Sequence, residues 1–105
     1  MTIAAYVPDL MDRSKVAAAA PDATFVTEPD QLAEVKADLV VLDLSRPGAV
    51  EALPGLRSHT IGFCRHTMRD VIAAAENAGC DLVLVRSEFF ARLPELLRSP
   101  EAPDD

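Results

Sequence analysis

The sequence predicts an α/β domain built on an open parallel sheet with helices on both faces. Three observations carry that prediction. Five short apolar runs alternate with segments that have helix spacing or helix punctuation, and such an alternation marks sheets of this kind. Two of the runs, LVVL and LVLV, are continuously apolar, as strands buried on both faces are, whereas a half-solvated strand alternates. Finally, 105 residues suffice for one core and leave little room for a second.

Taken in order, the strands are expected at residues 3–7, 24–27, 39–44, 60–64 and 82–85. The first helix, over 10–20, takes its turns from Leu10, Arg13, Val16, Ala17 and Ala20 and stops at Pro21. Pro29 opens a short second helix through Leu32 and Val35, at the position where a first helical turn tolerates proline. Pro47, Gly48, Pro54 and Gly55 leave the third only about two turns around Ala49 and Leu53. The fourth helix is the clearest: Met68, Val71, Ile72, Ala75 and Ala78 share one stripe, Thr67 is available as N-cap and Gly79 is placed to end it. A last element, 87–98, has Pro94 inside it. It is either a kinked helix or a turn through Phe89 and Phe90 followed by a helix starting near Pro94. The domain should span residues 1–99, with 100–105 a disordered tail that is acidic, Pro-rich and without apolar anchors.

Composition excludes several classes of function. Half of the residues are hydrophobic, which fits a folded domain, and the formal net charge of −7 argues against nucleic acid or an anionic membrane surface as partner. The start, MTIAAYVPDL, lacks a basic region and a long apolar stretch. No later segment approaches the roughly 20 apolar residues of a membrane span. A cytoplasmic location with reduced thiols is expected, since Cys64 and Cys80 are too few for a disulfide scaffold.

In open parallel sheets function collects in the crevice beyond the carboxyl ends of the strands, where strand order reverses. The stretch DLVVLDLSRPG puts Asp43 there, at what should be the exposed end of a strand, because an unpaired carboxylate is costly to bury. With it at the rim come Val7, Pro8 and Asp9, then Cys64 and Arg86.

At this point the chain resembles the receiver domain of bacterial response regulators. The matching pieces are DLVVLDLSRPG, similar to the phosphoacceptor strand and its turn; IGFC, similar to the fourth strand; and AGCDLVLVRSEF, similar to the stretch leading into the Lys-Pro-Phe signature. The resemblance implies a flavodoxin-like three-layer sandwich with strand order 2-1-3-4-5. It aligns Asp43 with the phosphoacceptor aspartate, Arg86 with the lysine, and Cys64 with the threonine or serine that contacts the phosphoryl group. The acidic pair that should follow the first strand is replaced by Val7 and Pro8, with Asp9 the nearest carboxylate. Mg²⁺ wants oxygen ligands in near-octahedral array, and in receivers the metal supplies most of the electrostatic help. The expectation is therefore a degenerate pseudo-receiver without cofactor, Mg²⁺ entering only if Asp43 is a working acceptor. An Arg86 to Asp43 ion pair could hold such a site in one state without phosphate.

Plainer readings stand beside these. Asp43 could be an exposed carboxylate capping the turn at Ser45 and Arg46, and Cys64 a small buried hydrophobe. His66 reads best as a solvated residue before a helix. Phe89 and Phe90 read as core or partial-core aromatics. Either one, if exposed, would mark with Met68 an interaction face, because receivers commonly bind partners through the fourth helix, fifth strand and fifth helix. Three functions follow: a stand-alone, non-enzymatic receiver-like module that binds a protein partner or itself through that face; a genuine phosphoacceptor using Asp43; or a Cys64-dependent thiol enzyme or redox sensor. The last requires an exposed Cys64 beside a cation that lowers its pKa.

Overall fold

A computed structural model describes residues 1–97. Strands β1 (Ile3–Tyr6), β2 (Thr24–Phe25), β3 (Leu39–Asp43), β4 (His59–Cys64) and β5 (Leu82–Val85) form one sheet in the order β2-β1-β3-β4-β5. Every pairing is parallel. This is the three-layer, flavodoxin-like arrangement that the resemblance implies.

The strand periodicity divides the core in two. In β3, Leu39 and Val41 face one layer and Val40 and Leu42 the other, all four buried. On the first face lie Val16 of helix α1 (Leu10–Ala19), Phe89 of α4 (Arg86–Ala91) and Leu93 of α5 (Leu93–Leu96). On the second lie Leu32 of a 3₁₀ segment (Pro29–Glu34), Ala49 of α2 (Ala49–Ala52) and Ala75 of α3 (Arg69–Asn77). Gly62 of β4 belongs where the sheet leaves no room for a side chain: a Cβ there would come within 2.6 Å of Leu44 Cδ1, itself buried.

Punctuation explains the short elements. Pro29 opens the 3₁₀ segment, and Gln31 Oε1 accepts the backbone N–H groups of Thr27 and Glu28, both at 3.0 Å. Proline and glycine also confine α2, which passes directly into a 3₁₀ turn, Leu53–Gly55. The α3 helix ends at Gly79, whose φ of +97° suits a residue without Cβ, while the Cys80 N–H reaches back to the Ala75 carbonyl. At the amino ends of β4 and β5, Asp81 accepts the Thr60 N–H at 2.8 Å and donates its own to Thr60 Oγ1 at 3.0 Å, which satisfies the buried Thr60.

Several expectations are corrected. Thr67 does not cap α3: Met68 occupies the N-cap position and no side chain bonds there. The β2 strand is only two residues long. The final helix does start near Pro94, at Leu93, but Phe89 and Phe90 sit inside a preceding short helix rather than a turn, the two meeting at Arg92. Leu10, one of the residues from which α1 was expected to take its turns, is 76% exposed, because the buried residues of that helix are Asp12 and Val16. The predicted tail, 100–105, lies outside the described residues. Among the described residues no helix is long and apolar enough to cross a membrane.

Candidate functional site

Beyond the carboxyl ends of the strands lies an open crevice of about 700 Å³, lined by Asp9, Asp12, Asp43, Ser45, Arg46, Pro47, Arg65, Thr67, Met68 and Arg86. Its floor is Asp43, the last residue of β3. Contrary to expectation that carboxylate is buried, at 2% exposure. It can be, because the turn behind it supplies donors: Ser45 gives its N–H at 3.0 Å and its hydroxyl at 2.6 Å to Oδ1, and Arg46 Nε stands 3.5 Å from Oδ2. The capping role in the Ser45–Arg46 turn is thus present and the exposure is not.

Arg86 does not pair with Asp43. Its two terminal nitrogens each donate a 2.8 Å hydrogen bond to one oxygen of Asp12, a bidentate pair that joins the first turn of α1 to the start of α4. The Asp12 side chain is 6% exposed and that of Arg86 36%. The guanidinium carbon also lies 5.1 Å from the Phe90 ring centroid and 5.6 Å from that of Phe63. The hydrogen bonds it donates to Asp12 chiefly, and the charge of that carboxylate, raise the Arg86 pKa against the opposing effect of burial. Asp12 is the site residue that sequence reading missed. Its signal was the i, i+4, i+8 spacing of Asp12, Val16 and Ala20, which puts the carboxylate on the inner face of the helix.

Asp9 lines the crevice but has a structural task. As N-cap of α1 it accepts the N–H groups of Met11 at 2.9 Å and Asp12 at 3.0 Å through Oδ1. The bond from Asp12 does most to hold its pKa below the ordinary carboxylate range. Cys64 is corrected from a rim residue to a core one: it is 1% exposed, packs in the second layer and does not line the crevice. Burial above all, then the Asp43 carboxylate, pushes its thiol pKa up. An exposed thiol activated by a cation is absent at that position. Both cysteines are free and buried, and His66 is exposed.

Of the three residues assigned to an interaction face, Phe89 is corrected to a core residue with no exposure. It stacks on Phe63 at 4.4 Å between centroids. Phe90 and Met68 are half-buried, and Phe90 meets both neighbouring rings edge-on.

The sheet order, the layers and a rim crevice centred on the last residue of β3 define the receiver type of flavodoxin-like fold. Among solved structures, the Mn²⁺-bound form of the response regulator Rcp1 superposes with a TM-score of 0.72 at 14% identity, over 98% of this chain and 99% of that one. The isolated receiver domain of RcsB from Salmonella enterica serovar Typhimurium, in its apo form, gives 0.69 at 11% identity, over 92% and 84%. No protein-family model matches the chain, and no curated protein matches it. The likeness is one of fold.

A divalent metal, present in the Rcp1 structure, does not fit the residues here. Where acidic ligands would follow β1 stand Val7, buried in the core, and Pro8. Both Asp12 oxygens are taken by Arg86, and Asp43 is engaged by Ser45 and Arg46. Among the described residues no group of three His, Cys, Asp or Glu side chains is placed to hold a metal.

Proposed function

We propose that the chain is a non-enzymatic, receiver-like signalling module of the cytoplasm that acts through protein–protein contact and does not use metal-dependent phosphorylation of Asp43. The observation that carries this reading is the Asp12–Arg86 pair. Phosphoryl transfer is catalysed almost entirely by positioned positive charge around the migrating group. The cation that would meet a phosphoryl group on Asp43 is committed to a different carboxylate, and the metal donors are missing. A fixed internal ion pair therefore holds the rim in one arrangement. The surface best suited to a partner, or to a second copy, runs over α3, β5 and the α4–α5 segment, where Met68 and Phe90 keep part of their area in solvent.

Incubation with acetyl phosphate and Mg²⁺, followed by intact mass, tests this. The mass should stay unchanged. An added phosphoryl group that disappears in Asp43→Asn would overturn the reading in favour of a working phosphoacceptor.

A further inference from the structure

We propose that the rim crevice is a receptor for a small phosphate-bearing molecule, bound without covalent chemistry by Arg65 and Arg46. This rests on the reading that Asp43 is not itself a phosphoacceptor.

The inference comes from matching donors to acceptors. Three aspartates and three arginines line the crevice, so its formal charge is balanced, but its hydrogen-bonding capacity is not. Both oxygens of Asp12 accept from Arg86, Oδ1 of Asp43 accepts twice from Ser45, and Oδ1 of Asp9 accepts two backbone N–H groups. The acceptors are largely used. The donors are not: among the described residues no carboxylate lies within 4.0 Å of Arg65. Arg46, 41% exposed, stands 3.5 Å from Asp43 at Nε, and among the described residues its terminal nitrogens make no hydrogen bond to a side chain, which leaves them for another partner. A guanidinium fork matches two oxygens of a phosphate, and a phosphate presents enough acceptors for two forks and a hydroxyl.

The topology places these donors on two walls. Arg46 comes from the turn after β3, while Arg65 and Thr67 come from the loop after β4, the strand next to it in the sheet. A ligand above Asp43 would meet both loops. The crevice, about 700 Å³, is far larger than a phosphate group and falls within the range of sites for small organic molecules. Met68 and Pro47 give it apolar wall, and Asp9 follows β1 on the far side of β3 from Arg65, where its remaining oxygen can accept from hydroxyl groups on the organic part.

Two-dimensional NMR of the whole chain, in EDTA and at constant ionic strength, tests the proposal with inorganic phosphate and ribose 5-phosphate as separate probes and chloride as control. Amide shifts at Ser45, Arg46 and residues 65–68 should saturate with at least one phosphate probe. The affinity should fall at least tenfold in Arg65→Gln, and again in Arg46→Gln, with melting temperatures little changed for Arg65→Gln because that side chain is exposed. The tighter probe identifies the source, free phosphate or a phosphorylated organic molecule. Shifts that chloride reproduces, that fail to saturate, or that are equally strong in Arg65→Gln would overturn it. A flat titration with unmodified intact mass defeats this inference alone, whereas phosphoryl on Asp43 from acetyl phosphate defeats the preceding reading whatever the titration gives.

Discussion

Replacing Arg86 by Gln should destabilise the domain much more than replacing Asp12 by Asn, although each substitution breaks the same ion pair. The asymmetry follows from burial. The Asp12 side chain keeps 6% of its surface and that of Arg86 36%, so loss of the arginine strands a carboxylate that water hardly reaches, while loss of the carboxylate leaves a cation that can turn to solvent and to the faces of Phe63 and Phe90. Stranding one partner of a fully buried pair costs about 3–5 kcal/mol, and an exposed pair is worth about 0–1 kcal/mol. Discounted for the exposed half of this pair, Arg86→Gln should cost about 3 kcal/mol and Asp12→Asn about 1 kcal/mol. In a domain of this size that corresponds to melting-point losses of roughly 15 °C and 5 °C. The double variant should be more stable than Arg86→Gln alone, since it no longer buries an unpaired charge. Urea or thermal unfolding of the four proteins closes the cycle. Equal losses for the two single variants, or an Arg86→Gln loss below about 1 kcal/mol, would show that Asp12 does not depend on Arg86 as its counterion.

Three other outcomes are expected. Gly62→Ala should cost about 1–3 kcal/mol, because the new methyl group meets the buried Leu44 side chain; an unchanged urea midpoint would show that Leu44 moves aside freely. Asp9→Ala should lower the melting temperature at neutral pH by removing the α1 cap. Because the folded-state pKa of Asp9 is depressed, its contribution is full above the ordinary carboxylate range and is lost as pH falls through the folded value, so wild type and variant should converge in acid; a gap independent of pH would refute the capping account. Phe89→Ala should unfold readily, at about 3–5 kcal/mol, whereas Phe90→Ala, if its face binds a partner or a second copy, should cost about 2 kcal/mol of association. Light scattering at high concentration and melting curves separate the two.

The sheet was legible because its central strands, β1, β3 and most of β4, are buried on both sides. Val40, Val41 and Leu84 leave no choice of face, and β5 falls where its apolar run does. The short second and third helical segments were legible from Pro29, Pro47 and Gly48, which act locally. The rim was harder, because its geometry depends on contacts far apart in sequence. Asp43 was found as a strand-end carboxylate, but its burial depends on Ser45 and Arg46 folding back over it. Asp12 was not singled out, because the turns of its helix were read from Leu10, Arg13, Val16, Ala17 and Ala20, whereas its buried residues are Asp12 and Val16. Only the closed fold brings that helix over the end of β5. For Cys64 and Phe89 the sequence left a core place beside the rim and surface ones, since a residue at the edge of an element can point either way; the core place holds, with Cys64 in the layer of Tyr6 and Leu42 and Phe89 stacked on Phe63.

The pair between positions 12 and 86 also has a bearing on how the protein is made. In a chain that emerges amino end first, β1 lies near the middle of the sheet and is made earliest, yet the acid at the head of α1 has no counterion until the fifth strand is complete. Until then the sheet would end at β4, with an open edge inviting foreign strands and Phe63 lacking the ring that covers it. A product cut short after Cys64 carries all three liabilities at once. The carboxylate at the head of its first-made helix thus finds its counterion only in the segment that follows its last-made strand.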